Sequence, residues 1–345
     1  MTGNYYKGKK IIVTGGAGSI GYNLVKALLK LEPESITVFD NNETGLYDLD
    51  QELQSDKIHI LLGDIRDKDR LLMAFEDIDI VFHASALKHV PICEFNPFDA
   101  VKTNVLGTQN VLEAALLRNV EKVINVSTDK AVNPVNVMGA TKFLGERLTI
   151  SANYYSINKK TVFSSVRFGN VLNSRGSVIP LFNKQIMNGG PVTVTDKEMT
   201  RFFMEIPSAV NLIINAGKIS QGKELFILKM PALNILDLAE VMINQLGSHY
   251  GYNKEELKVN IIGVREGEKL SEELMTVEES YRAYENNTMI LILPYKYFSA
   301  SEQQFNIPKG FEKCKIREFS SKNAKRITKD EIAKIIKKTF LKCNG

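Results

Sequence analysis

A chain of 345 residues with 44% apolar and 24% charged side chains has the composition of a folded protein long enough for two cores. Its 44 Lys and Arg against 40 Asp and Glu leave a net charge of only +4, which excludes a chain basic throughout of the kind that coats nucleic acid. No apolar run approaches the roughly 20 residues that span a bilayer, and the lysine-rich start, broken at Gly15-Gly16, does not read as a signal peptide. Three dispersed cysteines (Cys93, Cys314, Cys343) without CxxC spacing argue against a disulfide framework or a metal site and for a reducing cytoplasm.

Along the chain, short β-branched runs alternate with helical periodicity. Residues 10–14 form a predicted strand, and residues 19–31 a helix with Ile20, Leu24, Ala27, Leu28 and Leu31 on one face. Further strands are expected at 35–39, 57–62, 78–83, 122–126, 161–168 and 224–228, with long helices near 96–118 and 136–156. This is the pattern of βαβ crossovers, so the predicted fold is α/β: a Rossmann-type doubly wound parallel sheet covered on both faces. From about residue 170 the rhythm loosens and Gly and Pro cluster. The predicted organisation is a dinucleotide-binding domain at 1–170, rejoined by 204–228. A smaller, discontinuous α/β substrate domain follows at 171–203 and 229–300, then a basic C-terminal extension at 301–345. Thr328 and Glu331 have capping-box spacing ahead of Ile332, Ile335, Ile336 and Phe340, so the extension ends in a helix docking an apolar stripe. From Lys309 onward, 12 Lys or Arg stand against 4 Asp or Glu. The small net charge therefore hides a basic tail, read as a solvated capping helix, on a mildly acidic body.

The segment Thr14-Gly15-Gly16-Ala17-Gly18-Ser19-Ile20-Gly21 lies between the first strand and the first helix. Glycines there permit a tight turn and close approach of backbone amides to a pyrophosphate, and the helix start adds unpaired N–H groups. The predicted cofactor contacts are Gly15, Gly18, Ser19, Ile20 and Gly21. Asp40 ends the second strand, where a carboxylate accepts both ribose hydroxyls and repels a 2′-phosphate, favouring NAD over NADP. Asp64 and Ile65 after the third strand, and Ala84 and Ala86 after the fourth, are placed to complete the site. A helix N-cap is the alternative for Asp64, and His83 is read as a buried strand-end histidine.

After the fifth strand come Ser127-Thr128-Asp129-Lys130 and then Met138-Gly139-Ala140-Thr141-Lys142. Together with residues 83–91, 103–108, 167–171, 174–180, 200–203 and 266–270, these motifs resemble an extended short-chain dehydrogenase/reductase. Within that superfamily the chain is similar, over roughly residues 8–295, to the nucleotide-sugar 4,6-dehydratases acting on UDP-N-acetylglucosamine in polysaccharide biosynthesis. One departure matters. The superfamily's Y-x-x-x-K signature has Met138 in place of its tyrosine, and a thioether exchanges no proton. The same replacement marks a branch of the resembled family that retains configuration at C5.

The resemblance implies oxidation at C4, loss of water across C5 and C6, and return of hydride to C6. It assigns Asp129 as acid, Lys130 as base and Lys142 to the nicotinamide ribose, with Thr128 and Ser127 near O4. The group that takes the O4 proton stays open between Asp129 and a water ordered by Thr128. For the nucleotide-sugar substrate, Lys88 and His89 are candidates near the sugar, Asn170 near the sugar or diphosphate, and Arg175, Arg201, Arg265 and Lys269 for the diphosphate. UDP rests on the resemblance, with GDP-N-acetylglucosamine open. The competing readings are a 4-epimerase, disfavoured by Met138, and a non-catalytic NAD-binding regulator, disfavoured by the retained Asp129, Lys130 and Lys142. No nucleic acid and no membrane span are expected, and a homodimer or higher homo-oligomer is.

Overall fold

The structure is a computed structural model describing residues 4–155, 161–172, 174, 176–294 and 305–341. The chain divides into two compact units. The first comprises Met1–Phe168, Ile206–Lys229 and Met275–Glu318; the second comprises Gly169–Glu205, Met230–Leu274 and Phe319–Gly345.

The first unit is built on a ten-stranded sheet. Six strands, β1 (Lys10–Thr14), β2 (Ser35–Asp40), β3 (Ile58–Leu62), β4 (Ile80–His83), β5 (Lys122–Val126) and β6 (Val162–Arg167), pair in parallel in the order 3-2-1-4-5-6. That is the doubly wound order, whose ligand crevice lies at the carboxyl ends of the strands where the order reverses, between β1 and β4. The strand Leu225–Leu228 extends it in parallel beside β6. Beyond it the sheet turns antiparallel, through Met289–Ile292, Ala283–Glu285 and Glu312–Lys313. The sequence reading groups residues 229–300 with the second domain, but this edge belongs to the first unit. Strands of two to four residues joined by a tight turn, where Asn286 Oδ1 accepts Thr288 N (2.9 Å) and Met289 N (2.8 Å), are too short to carry a readable period.

The helices of this unit are α1 (Ser19–Leu29), α2 (Glu43–Leu53), α3 (Lys68–Ala74), α4 (Val90–Phe95), α5 (Pro97–Val101), α6 (Thr108–Leu117), α7 (Val137–Ala152), Ile206–Ile219 and Val277–Ser280. Ile12, Val81, Val123 and Phe163, at matching positions on four strands, form one core with Leu71 of α3, Phe75 just after it, and Val111 and Ala115 of α6. α1 packs against Ile206–Ile219. The long helix expected at 96–118 contains a π-helical stretch, Lys102–Gly107, between α5 and α6. A Cβ on Gly107 would stand 2.7 Å from Ile65 Cδ1, so the missing side chain lets that stretch reach the loop after β3.

The second unit holds a three-stranded sheet (Ala232–Asn234, Thr200–Met204, Asn170–Val171) and a parallel pair, Val192–Val194 with Val259–Ile261. Helices Val178–Met187, Ile235–Leu246 and Lys329–Ile336 enclose its core, to which Phe182, Phe203, Met242, Ile332 and Ile336 contribute. The capping box is formed: Glu331 N donates to Thr328 Oγ1 (3.3 Å) and Thr328 N to Glu331 Oε2 (2.8 Å). Lys329 pairs with Asp237 (3.1 Å) and Glu240 (2.6 Å). Lys338 pairs with Glu205 (3.1 Å). The C-terminal helix is therefore part of this unit's core, and some of its lysines face acidic partners there.

Candidate active site

β1 delivers the chain into Gly15 at φ +71°. A Cβ on Gly15 would lie 2.6 Å from Ser85 N, and one on Gly21 would lie 2.1 Å from Gly15 O. Glycine is needed at both because backbone meets backbone there. Gly18 N donates to Gly15 O (3.1 Å), closing the turn, and Gly18 caps α1 without a side chain. The helix start with Ser19, Ile20 and Gly21 thus presents main-chain amides at the switch point, the arrangement that receives an anionic phosphate. At its rim the half-buried Asp40 accepts Ala17 N through Oδ2 and Asn42 N through Oδ1, both at 3.0 Å. These bonds fix the carboxylate at the end of β2.

The neighbouring loops divide into fixed and exposed parts. Asp64 accepts Arg66 through both side-chain and backbone nitrogens (2.5–3.1 Å), and that contact holds its carboxyl below the usual range. The N-cap of α3 is Asp67, which accepts Arg70 N (2.9 Å), and Ile65 is buried. His83 is enclosed, with Nδ1 2.7 Å from Thr14 Oγ1 and Nε2 3.1 Å from Thr108 Oγ1. Burial, then the Lys142 charge, pulls its pKa down to about 3, so it is a neutral structural group. Ala84, Ser85 and Ala86 follow in a half-buried loop, Ala84 N donating to Thr14 O (2.9 Å), and Lys88 and His89 lie exposed beyond it.

The loop after β5 is held by continued pairing with the β6 side: Ser127 N donates to Val166 O (2.7 Å) and Asp129 N to Phe168 O (3.1 Å). Asp129 is fully buried. Its Oδ1 accepts the Thr128 hydroxyl (2.9 Å) and the Lys130 ammonium (3.0 Å). Its Oδ2 has no hydrogen-bond partner among the described residues. A buried carboxylate oxygen without a donor is costly in a folded chain and marks Oδ2 as an atom available to a bound molecule. Opposite, the start of α7 approaches so closely that a Cβ on Gly139 would stand 2.3 Å from Lys130 O. Asn136 Oδ1 caps that helix, accepting Gly139 N (2.7 Å).

Met138 and Lys142, one turn apart, face different surroundings. Met138 is buried in an apolar cluster with Cys93 and Ala100, against Leu87, Val90 and Val137. It fills space and excludes water. Lys142 Nζ donates to Val126 O at the end of β5 (2.7 Å), and burial lowers its pKa to about 8.

Several polar residues inside this unit escape a reading of motifs. Asn125 is buried on β5 with neither side-chain atom hydrogen-bonded among the described residues, in register with His83 on β4 and Ser165 on β6. Arg167, wholly buried, donates to Glu146 and to Glu279. A glutamate four residues after Lys142 on a predicted helix was the available signal for the first partner; the second is 112 residues from Arg167.

In the second unit, Arg201 is buried and bound within the unit. It donates to Thr200 O (2.8 Å) and Leu270 O (3.2 Å), with Glu268 at 3.4 Å and Glu272 at 3.8 Å. Such a guanidinium is tied to its own unit's carboxylates, which weakens its candidacy for a diphosphate. Asn170 and Lys269 are half-buried, Arg265 is exposed, and Arg175 lies outside the described residues.

A family model described as "Polysaccharide biosynthesis protein" matches residues 11–294. Over 334 residues, 97% of either chain, the sequence is 55% identical to a Methanocaldococcus jannaschii protein named as an uncharacterized membrane protein. No helix among the described residues is long and apolar enough to cross a membrane. The sequence is 39% identical over 304 residues, 88% of either chain, to UDP-N-acetylglucosamine 4,6-dehydratase (inverting) of Campylobacter jejuni. It is 37% identical over 339 residues, 95% of either chain, to UDP-glucose 4-epimerase of Rickettsia bellii. Among solved structures, Pen from Bacillus thuringiensis matches with a TM-score of 0.88 at 42% identity, covering 96% of this chain and 98% of that one.

Proposed function

The chain belongs to the polysaccharide biosynthesis protein family of extended short-chain dehydrogenase/reductases, and from that premise we propose that it is an NAD-dependent 4,6-dehydratase of UDP-N-acetylglucosamine. The observation that carries the reading is the Asp129–Lys130 pair: an acid and an amine 3.0 Å apart, one carboxylate oxygen buried and without a hydrogen-bond partner among the described residues, at the carboxyl end of β5.

The residues present fit NAD. The glycine turn is a cradle that a Cβ at Gly15 or Gly21 would fill, α1 offers its first amides, and Asp40 stands where a ribose diol would be read. Ala84 and Ser85 meet the turn at Gly15, and Asp64, Ile65 and Ala86 are assigned to the same cofactor site, with Lys142 assigned to the nicotinamide ribose. When bound, NAD would supply the hydride acceptor for oxidation at C4 and the hydride donor for C6.

The protein's own groups move the protons. Asp129 Oδ2 takes the proton from O4, an assignment favoured over a Thr128-ordered water because that oxygen has no hydrogen-bond partner among the described residues. The C4 ketone acidifies C5, and Lys130, as the neutral amine, takes the C5 proton. Asp129 returns its proton to the departing O6, so C6 loses water, and Lys130 returns its proton to C5. Both side chains end as they began. One lysine removing and restoring the C5 proton on one face gives retention at C5. Thr128 orients the Asp129 carboxylate, and Met138 keeps the site dry. Lys88, His89, Asn170, Arg175 and Arg265 remain the proposed contacts to the sugar and diphosphate, with GDP-N-acetylglucosamine as the alternative substrate.

A cytoplasmic location fits the cysteines, since Cys93 and Cys314 are buried free thiols. A homodimer is proposed through the outer faces of α5 and α7. Phe98 is 80% exposed and Val101, Phe143 and Leu144 more than 40%, whereas Val111 and Leu112, equally apolar in the sequence, are core residues.

The Rickettsia relative favours a second reading, 4-epimerisation, which requires proton exchange at O4 and no acid at O6. Mass spectrometry of the product separates the two. Dehydration gives a nucleotide sugar lighter by one water without accumulating NADH, and epimerisation gives no change in mass. Absence of the lighter product from both UDP- and GDP-linked N-acetylglucosamine sinks the dehydratase reading. The Campylobacter relative's "inverting" name is the counter-expectation at C5, and NMR of the product formed in deuterated water decides it.

A further inference from the structure

We propose that the cavity between the second half of α7 and the antiparallel edge of the first unit's sheet binds a small molecule carrying a phosphate group. The inference is independent of the reaction proposed above.

The cavity has a volume of about 280 Å³, and all its lining residues belong to the first unit. Its floor is apolar. Leu225 and Ile292, both buried, face each other in register across the antiparallel strand pair. Arg147 and Tyr154 of α7 form one wall, and Lys223 and Arg282 stand on the others. None of these residues is assigned to the cofactor or to the sugar.

Lys223 is held in place by its backbone. Gly222 and Lys223 are consecutive residues in the left-handed region, at φ +109° and +72°. A lysine is strained there. The turn keeps it because Glu224 accepts Gln221 N (2.6 Å) and Gly222 N (2.7 Å), and Lys223 N donates to Phe163 O (2.8 Å). The ammonium is thereby set over the Tyr154 ring, 4.5 Å from its centroid.

The carboxylates around the cavity are engaged elsewhere. Glu146 and Glu279 line it, but both accept from the buried Arg167, and the Arg282 charge also acts on Glu279. Glu224, next to Lys223, has its oxygens on the Ser164 hydroxyl and the two turn amides. Arg147 and Lys223 are left without a carboxylate partner among the described residues. A partly buried ammonium without a counter-ion is costly, and burial accordingly pulls the Lys223 pKa down. An anion entering the cavity meets these cations together with Arg282, which is anchored by its bond to Leu293 O. The donors come from separate walls. A tetrahedral phosphate offers oxygens in all those directions, whereas a carboxylate offers two in one plane, and guanidinium forks match phosphate oxygens. The floor of Leu225 and Ile292 suits the less polar body of such a molecule.

The test is a ³¹P NMR titration of inorganic phosphate with the full-length protein saturated with NAD, so that the glycine turn is occupied. The parent protein should broaden the phosphate resonance saturably. Lys223→Met should weaken binding about 10-fold or more, the scale expected when a charged hydrogen-bonding partner is lost. Arg147→Ser, on the exposed side of α7, should weaken it as well and serves alone should Lys223→Met not fold. Absence of saturable binding by the parent protein overturns the proposal, and so does parent-like affinity in the variants. Citrate displacing phosphate at equal concentration overturns the assignment to phosphate.

Discussion

The Lys130 ammonium stands 3.0 Å from Oδ1 of a fully buried Asp129, and the other oxygen of that carboxylate faces no donor among the described residues. A carboxyl and an amine therefore stand side by side at the carboxyl end of β5, and the second carboxylate oxygen is buried there.

Asp129→Asn and Lys130→Met should each lower kcat by of order 10²–10⁴ while NAD affinity changes little, because general acid–base groups contribute on that scale. Steady-state kinetics with NAD binding by calorimetry checks this. Near-normal turnover in either variant removes that residue from the chemistry.

Met138→Leu conserves volume in the cluster with Cys93 and Ala100. Stability should drop by less than about 1.5 kcal/mol, and kcat should stay within a few fold. A loss matching that of Asp129→Asn would mean that the thioether takes part in the reaction.

Lys142→Met should abolish turnover yet stabilise the fold at pH 7. Burial depresses the lysine's pKa from 10.5 to about 8, so the unfolded chain binds its proton more tightly than the folded one. The parent protein bears that penalty in full below pH 8 and loses it as pH climbs toward 10.5. Urea unfolding should show a gain on the order of 1–3 kcal/mol at pH 7 that shrinks over that window. Equal stabilities at pH 7 and pH 10 would contradict the assignment.

Asp40→Ala should weaken NAD binding about 10-fold or more and remove discrimination against NADP, because a carboxylate at the end of the second strand is the group proposed to read the ribose diol. Parallel calorimetric titrations with the two dinucleotides measure it. An unchanged preference for NAD would move specificity elsewhere.

Ending the chain after Ile327 should destabilise the second unit by several kcal/mol, since burying an isoleucine is worth about 1.5–3 kcal/mol and both Ile332 and Ile336 would be lost from its core. Thermal unfolding with limited proteolysis reports it. A truncated chain as stable as the parent would return this helix to the status of a solvated appendage.

The reading of the first unit from sequence succeeds where a local rule is strict. Strands β1 to β6 announce themselves as β-branched runs, the glycine turn by spacing, and the terminal helix by Thr328 and Glu331. It fails where strands are too short for a period to form, as at Ala283–Glu285 and Met289–Ile292. It also cannot tell a free cation from a paired one. Arg201 looks like a diphosphate ligand in sequence and is bound to Thr200 O, Leu270 O and two glutamates in the structure.

What the sequence by itself determines is which residues stand side by side: glycines before a helix, Asp129 beside Lys130, and Met138 four residues before Lys142, where the resembled family carries a tyrosine. These are properties of neighbours along the chain. Burial and partnership are decided only by the tertiary structure, because they depend on residues far apart in sequence. The small net charge of +4 shows the difference. Composition reports a sum, whereas the fold arranges its members into Asp129 against Lys130, Arg167 between Glu146 and Glu279, and Lys329 against Asp237 and Glu240. Electrostatic energy follows those distances and the local exclusion of water, and neither is visible before the chain folds.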